Sequence, residues 1–323
     1  MPSVNAVHVN RPLTQISVAY LQDASKYISS QVFSNLPVDK KSDVYFKYDK
    51  GDFFRDEVQD RAPGTVAAEM TYDISQDSYL CASKALSVIV TDEEMANADD
   101  PLDPKRDATE ILSQKVAIHR EKAWASEYFK TGIWQGSTSG GDITPTNLWD
   151  TVSGDPVKDI GDQIDAMEEK TGFTPNRLVL PKKVFRALQN NEDIKDRLKY
   201  TGVPSNTTIT ADMLAALFGV ERVLIARATN NIKDKNVAGD ATMQYIFNST
   251  QAGLFYAEQS PSIKRPSAGY TFSWRLFGGN DVGARIKDYR LEERDGDKVQ
   301  ADLSYDHKLV AADCGVFFDG VIS

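Results

Sequence analysis

The stretch from Asp103-Pro104 to Gly132 has no internal glycine or proline and does most to constrain the fold. An aspartate followed by proline suits a helix start, because the carboxylate accepts from free first-turn N–H groups and proline has no N–H there to leave unpaired. The reading is one helix over 103–131, roughly 40 Å long at 1.5 Å per residue. It reads as a single long spine helix. Ile111, Leu112, Val116, Ala123, Trp124 and Phe129 form a broad apolar band. Lys105, Arg106, Glu110, Lys115, Arg120, Glu121 and Lys122 cover much of the rest.

Ahead of this helix the pattern is extended. Residues 1–42 are polar, with Pro2, Pro12 and Pro37 and one amphipathic stretch over 14–33, and read as an arm. From Asp43 to Val90 the chain reads as a long hairpin: Val44 to Tyr48, a turn at 49–52, Phe53 to Val58, a break at Arg61-Ala62-Pro63-Gly64, then 72–90. Its first half mixes six acids and four bases with scattered aromatics. A two-stranded ribbon with so little apolar surface is marginal alone in water, so it requires a partner surface.

Beyond the polar loop 135–142 the period changes. Val157, Ile160, Ile164 and Met167 mark a helix ending near Gly172, followed by a strand at Leu178-Val179-Leu180 and a helix opened by Pro181. Thr210 caps a further helix that ends at Gly219, and strands follow at 221–228, 243–247 and 254–257. Residues 155–260 therefore read as a compact α/β unit. Tyr270, Phe272, Trp274 and Leu276 alternate strictly, and 299–322 is again strand-like, a β-rich return to earlier elements.

Chemistry is sparse. The three histidines, His8, His119 and His307, lie far apart in sequence, and neither a zinc-ligand spacing nor a phosphate-loop motif occurs. Gly136 to Gly140 has the outer glycines of a nucleophile elbow, but Thr138 sits at its centre, so it reads as a loop. The acidic stretches 92–94, 99–100 and 292–297 lack the ligand spacing of a calcium loop and read as solvated turns. Cys81 and Cys314, the only cysteines, read as small buried hydrophobes. No catalytic, cofactor or metal residues are assigned. With 37 Lys and Arg against 47 Asp and Glu, the net charge of -10 argues against a duplex-DNA or anionic-membrane binder, since phosphate affinity comes mostly from basic side chains. No apolar run reaches the length of a membrane span, and no secretory signal is read.

The order of elements, together with Lys170 to Gln189 (KTGFTPNRLVLPKKVFRALQ), 193–198 (DIKDRL), 211–226 (ADMLAALFGVERVLIA) and 267–279 (SAGYTFSWRLFGG), resembles the tailed-bacteriophage major capsid proteins with the Hong Kong 97-like fold. In that family a helix, a Gly-Phe-x-Pro turn, a strand, a helix and a Leu-Phe-Gly-Val helix end make up the axial domain. The resemblance implies an α+β chain divided into an N-terminal arm (1–42), an extended β-hairpin loop (43–90), a peripheral domain with the spine helix (91–154 and 261–323) and an axial α/β domain (155–260). It implies a structural, non-enzymatic role: copies self-assemble as hexamers and pentamers into an icosahedral shell that encloses double-stranded DNA without reading its sequence. A scaffolding protein, a portal protein and a decoration protein are the further partners. With only 42 residues ahead of the hairpin, scaffolding is expected as a separate protein. Assembly is expected in the host cytoplasm, with the product residing in the virion.

A ribbon without its own core suits a strap between subunits, and Arg55, Asp56, Glu57 and Arg61 are the candidate strap contacts. The acidic balance fits a container wall that must not hold phosphate tightly. The lysine-to-asparagine cross-links of some members find no matching positions and are not carried over. Three other readings stand beside this one: an encapsulin-like shell around enzyme cargo, a carboxylate-dependent hydrolase using the α/β unit, and a small β-rich binding module.

Overall fold

The computed structural model describes residues 22–48, 50–98, 102–200, 208–233, 239–258, 260, 265–277 and 284–323. Residues 14–21 of the amphipathic stretch 14–33, as well as His8, Asp99 and Asp100, lie outside the described residues. A short helix α1 (Ser29–Val32) leads into β1 (Ser34–Val38) and β2 (Ser42–Tyr48), then α2 (Lys50–Phe54), β3 (Ile74–Leu80), β4 (Ala82–Thr91) and α3 (Asp92–Asn97). The long helix α4 (Pro104–Tyr128) follows, then α5 (Pro156–Thr171), β5 (Arg177–Pro181), α6 (Lys182–Asn190), α7 (Glu192–Tyr200) and α8 (Ala211–Phe218). The remaining strands are β6 (Arg222–Ala226), β7 (Thr229–Asn231), β8 (Met243–Tyr245), β9 (Ala252–Phe255), β10 (Gly269–Trp274), β11 (Ala284–Leu291), β12 (Gly296–Leu309) and β13 (Gly315–Phe318).

Two sheets organise the body. In the first, β12 pairs antiparallel with β4, β10 and β11, and β1 adds to β10 in parallel, Ser34 opposite Tyr270. In the second, the order is β13-β9-β5-β6, with β5 and β6 parallel, as the α/β pattern requires. The tail is shared between them: β12 centres the first sheet, while β13 forms an edge of the second, antiparallel to β9. The α/β unit thus takes a strand from outside 155–260.

The α4 cap is as the sequence demands, with the Asp103 carboxylate accepting from Lys105 N (3.1 Å) and Arg106 N (3.2 Å) and Pro104 in the first turn. Its buried face differs from the expected band. Ala108, Leu112, Val116, Arg120 and Trp124 recur every four residues along one stripe, while Ile111 is half exposed. The first four residues of that stripe face β12 and β4, where Val299, Ala301, Leu303 and Val90 complete a small core. Arg120 and Glu121, expected on the outer face, are buried. Glu121 is needed inside because its two carboxylate oxygens accept from the backbone N–H groups of Ile28 (2.9 Å) and Ser29 (3.0 Å), donors at the start of α1 with no helical partner.

The segment expected as an arm is therefore partly core. Ile28, Val32 and Phe33 are fully buried, and they join Trp124, Phe129, Trp134, Phe255 and Phe317 in a cluster between the two sheets. Phe33 meets Trp124 edge-on at 5.6 Å, and Phe129 meets Phe317 edge-on at 5.1 Å. The α/β unit has its own core, in which Ile160 and Met167 of α5, Leu178 and Leu180 of β5, and Leu214 of α8 are fully buried. Helices α5 and α8 stop at Gly172 (φ +74°) and Gly219 (φ +71°), the left-handed positions expected at helix ends.

The hairpin expected over 43–90 is shorter and differently paired. Strands β2 and β3 form the ribbon, residues 53–58 are helix end and loop rather than strand, and the chain leaves the ribbon at Cys81 so that β4 joins the first sheet. The reason lies in Cys81, Val88 and Val90, which find apolar cover only against the body. Cys81 and Cys314 are buried free thiols, and burial raises both, to about 11 and about 12.

Two outcomes follow from these burials. Glu121→Ala strands two buried N–H groups and lowers the unfolding free energy by roughly 2–4 kcal/mol, with hydrogen exchange in 28–33 accelerating first; an unchanged denaturation midpoint contradicts this. Burial, then the nearby Arg120 charge, pulls the His307 imidazole down to about 3 from its ordinary 6.5. The unfolded chain thus binds the extra proton between those values, and stability falls as pH drops through the window, by up to about 1.4 kcal/mol per pH unit from this one group. His307→Gln removes that component in urea titrations across the window; an identical slope in the variant refutes the assignment.

Candidate functional site

The ribbon is built from β2 and β3, antiparallel from Ser42 opposite Leu80 to Tyr48 opposite Ile74. Its root is well fixed. Tyr79 stacks on Phe272 of β10 at 4.5 Å with ring planes 7° apart, and Tyr45 lies 5.4 Å from the same ring. The Leu80 N–H donates to Asp306 (2.9 Å), and the buried Ser304 hydroxyl donates to the Cys81 carbonyl (3.0 Å). Across the strands, Asp77 accepts from Lys47 Nζ (2.9 Å) and the Tyr45 hydroxyl (3.1 Å). Lys47 holds the Asp77 carboxyl below the usual range, whereas burial and then Asp77 push the Tyr45 phenol up.

Beyond α2 the chain runs through 55–73 without helix or strand, and Asp52 closes this loop by accepting from Asp73 N (2.8 Å). The turn of α2 rests on the α/β side of the body. Lys50 pairs with Asp313, which Lys170 also approaches at 3.7 Å, and the Phe54 ring lies beside Gly172.

All four charged residues singled out in the sequence fall in this loop, and each meets partners inside it. Arg55 pairs with Glu57 (3.1 Å) and Asp52 (3.8 Å), Asp56 accepts from Val58 N (3.2 Å), and Arg61 donates to the Thr65 carbonyl. This segment also carries a large exposed apolar set. Val58 is 93% exposed and Val66 85%, and Phe53, Phe54, Met70 and Tyr72 are each more than half exposed. Of the twenty large exposed hydrophobics among the described residues, eleven lie between Val44 and Leu80, so the exposure is concentrated on one element and not scattered as on an ordinary surface. The sequence reading weighed the charges and passed over this set. The signal was available in Phe53-Phe54 and in the spaced apolar residues from Val58 to Tyr72, which have no period that would bury them on a strand or helix of their own.

The other polar features noted in the sequence are tied to neighbours in the body. His119 is exposed with its Nε2 3.2 Å from Lys84 Nζ, and partial burial, then the Lys84 charge, lowers it. The loop 136–140 is closed by hydrogen bonds between Ser137 and Gly141. Asp92, in the acidic stretch 92–94, forms a two-point pair with Arg290, while Thr91 and Glu94 cap α3 reciprocally. Among the described residues no group of three or more His, Cys, Asp or Glu side chains could hold a metal ion, and no helix is long and apolar enough to cross a membrane.

A ribbon projecting from a helix-backed sheet, beside a separate α/β unit, is the architecture of the Hong Kong 97-like capsid fold, and this chain has that fold. No family model matches the chain. Among curated proteins it is similar to the major capsid protein of Burkholderia phage BcepMu, 25% identical over 217 residues that make up 66% of each chain. It is also similar to the major capsid protein of Pseudomonas phage JBD67, 21% identical over 318 residues, 98% of this chain and 97% of the relative. A crystal structure of a phage-related protein from Bordetella bronchiseptica superposes over 93% of both chains with a TM-score of 0.68 and 22% identity. The capsid of cyanophage P-SCSP1u (TM-score 0.59, 10% identity, 100% and 96% covered) and the SrpI encapsulin of Synechococcus elongatus (0.54, 13%, 99% and 96%) share the fold.

The division between a fixed root and self-contained loop charges can be checked in dispersed subunits. Arg55→Ala, Asp56→Ala, Glu57→Ala and Arg61→Ala leave the thermal midpoint where it was. Tyr79→Ala, which removes the stack at the root, costs roughly 3 kcal/mol. A loop charge whose removal melts the subunit would place its partner in the body.

Proposed function

We propose that the chain is the shell subunit of a tailed-phage head, assembling as hexamers and pentamers into an icosahedral container for double-stranded DNA. The observation that carries this reading is the ribbon: a firmly rooted element whose far half exposes Phe53, Phe54, Val58, Val66, Met70 and Tyr72. A monomer gains nothing from such exposure, whereas a lattice covers the same patch once per copy. The likeness to two phage proteins named for the capsid, one nearly end to end, supports phage over cargo compartment, although an encapsulin shares the fold. The role is structural, without catalysis. Arg55, Asp56, Glu57 and Arg61 then serve at the rim of the strap, where charges set register, and the apolar set supplies most of the adhesion.

A scaffolding protein would limit curvature, a portal would occupy one vertex, and a decoration protein would sit on the outer face, with assembly in the host cytoplasm. The net charge of -10 suits a wall past which DNA must slide during packing and ejection.

Electron microscopy and light scattering of the protein expressed alone, and again with its neighbouring genes, test this reading. Shells, spirals or hexamer sheets are expected in both, and DNA-filled particles with one portal vertex in the second. Val58→Ser combined with Met70→Ser is expected to leave the subunit folded and stop assembly. A stable monomer or dimer under both conditions refutes the reading, and particles filled with a protein cargo would move it to the encapsulin type.

A further inference from the structure

We propose that the cavity beneath α4 is a binding site for a carboxylate carried on an apolar stem, with Arg120 as its counter-charge. The cavity, about 320 Å³, lies between α1, α4 and the first sheet, and its walls are largely apolar, including Val116, Ala284, Ile286 and Ala301. That is the size and character of a small-ligand site. Its polar lining is supplied by Arg120 and Tyr27 with neighbouring serines.

Arg120 is 6% exposed, and its Nε and Nη2 have no hydrogen-bond partner; the Tyr27 hydroxyl has none either. The guanidinium forms no ion pair among the described residues, only a contact with the face of Tyr305 at 5.5 Å. The adjacent Glu121 carboxylate feels that charge, but its two oxygens accept from the Ile28 and Ser29 N–H groups and not from the guanidinium. The surroundings add positive charge and donors: Lys84 sits 5.1 Å from the same Tyr305 ring, and Tyr305 Oη and His307 Nε2 are also unpartnered. A buried guanidinium without an acceptor is costly. Water could fill its hydrogen bonds but would not neutralise its charge, and an inorganic oxyanion would leave the apolar walls uncovered. A carboxylate on a short hydrocarbon stem satisfies both ends of the cavity.

Two sources carry that chemistry: a free carboxylic acid, or an acidic side chain of a second copy of this chain. Equilibrium dialysis with radiolabelled hexanoate distinguishes them, with acetate and hexylammonium as controls. Dispersed subunits are expected to take up one hexanoate per chain and to hold acetate more weakly and hexylammonium not at all. Arg120→Met, which removes a buried charge without leaving a partner behind, weakens uptake roughly 10- to 100-fold. Ala117→Leu, which fills the cavity from α4 and leaves Arg120 in place, also abolishes uptake and serves if the first variant misfolds.

Assembled shells that bind hexanoate as dispersed subunits do assign the site to a free acid; shells that exclude it assign the site to a neighbouring copy. That comparison rests on the shell reading, but uptake by dispersed subunits does not, so a chain that never assembles refutes the shell and leaves this site standing. No uptake by dispersed wild-type subunits, or equal uptake by Arg120→Met, overturns the proposal.

Discussion

The packing of aromatic rings around Trp124 is the contact on which the rest of the body depends. Trp124 comes from the end of α4, Phe33 from the segment after α1, Phe247 and Phe255 from the middle of the chain and Phe317 from its tail, and the rings meet at 5 to 7 Å, mostly edge-on or tilted. Neither sheet has another core of this size facing its partner. The two units are therefore joined by a contact built like an interior rather than a wet hinge, and the long helix transmits that rigidity to the ribbon through β12 and β10.

Against that packed body the ribbon is an exception that makes sense only as a surface awaiting another. Its root has stacked rings and buried hydrogen bonds, its middle has an internally balanced Tyr45–Asp77–Lys47 group, and its far loop is apolar and uncovered. Burial decreases along this element from its root to the loop. Among the charges of the loop Arg55 and Glu57 pair with each other and Asp56 and Arg61 find backbone partners, while the apolar set is left to decide where the loop rests.

Local patterns in the sequence were readable where a single element determines its own geometry. The Asp103-Pro104 start, the Thr210 cap and the ends at Gly172 and Gly219 are short-range chemistry, and they stand where the residues place them. What could not be read was set by partners distant in the chain. Burial of Glu121 depends on N–H groups 92 and 93 residues earlier, the departure of β4 from the ribbon depends on β12, and the place of β13 depends on β9. The candidate site divides the same way: its location followed from a lack of core-forming pattern, but the exposure of its apolar residues depends on how little of the loop the body covers.

The pairing of β1 with β10 has a further consequence for a chain made from its N-terminus. Strand β1 is among the first elements to leave the ribosome, yet its parallel partner lies some 236 residues downstream, and the central strand β12 comes later still. Loop closure over such separations is slow, and the first sheet cannot close until nearly all of the chain exists. The Tyr79–Phe272 stack that anchors the ribbon must wait for the same moment. Truncated or still-tethered chains thus lack a firmly held ribbon, and synthesis itself delays the sticky surface until the subunit is whole.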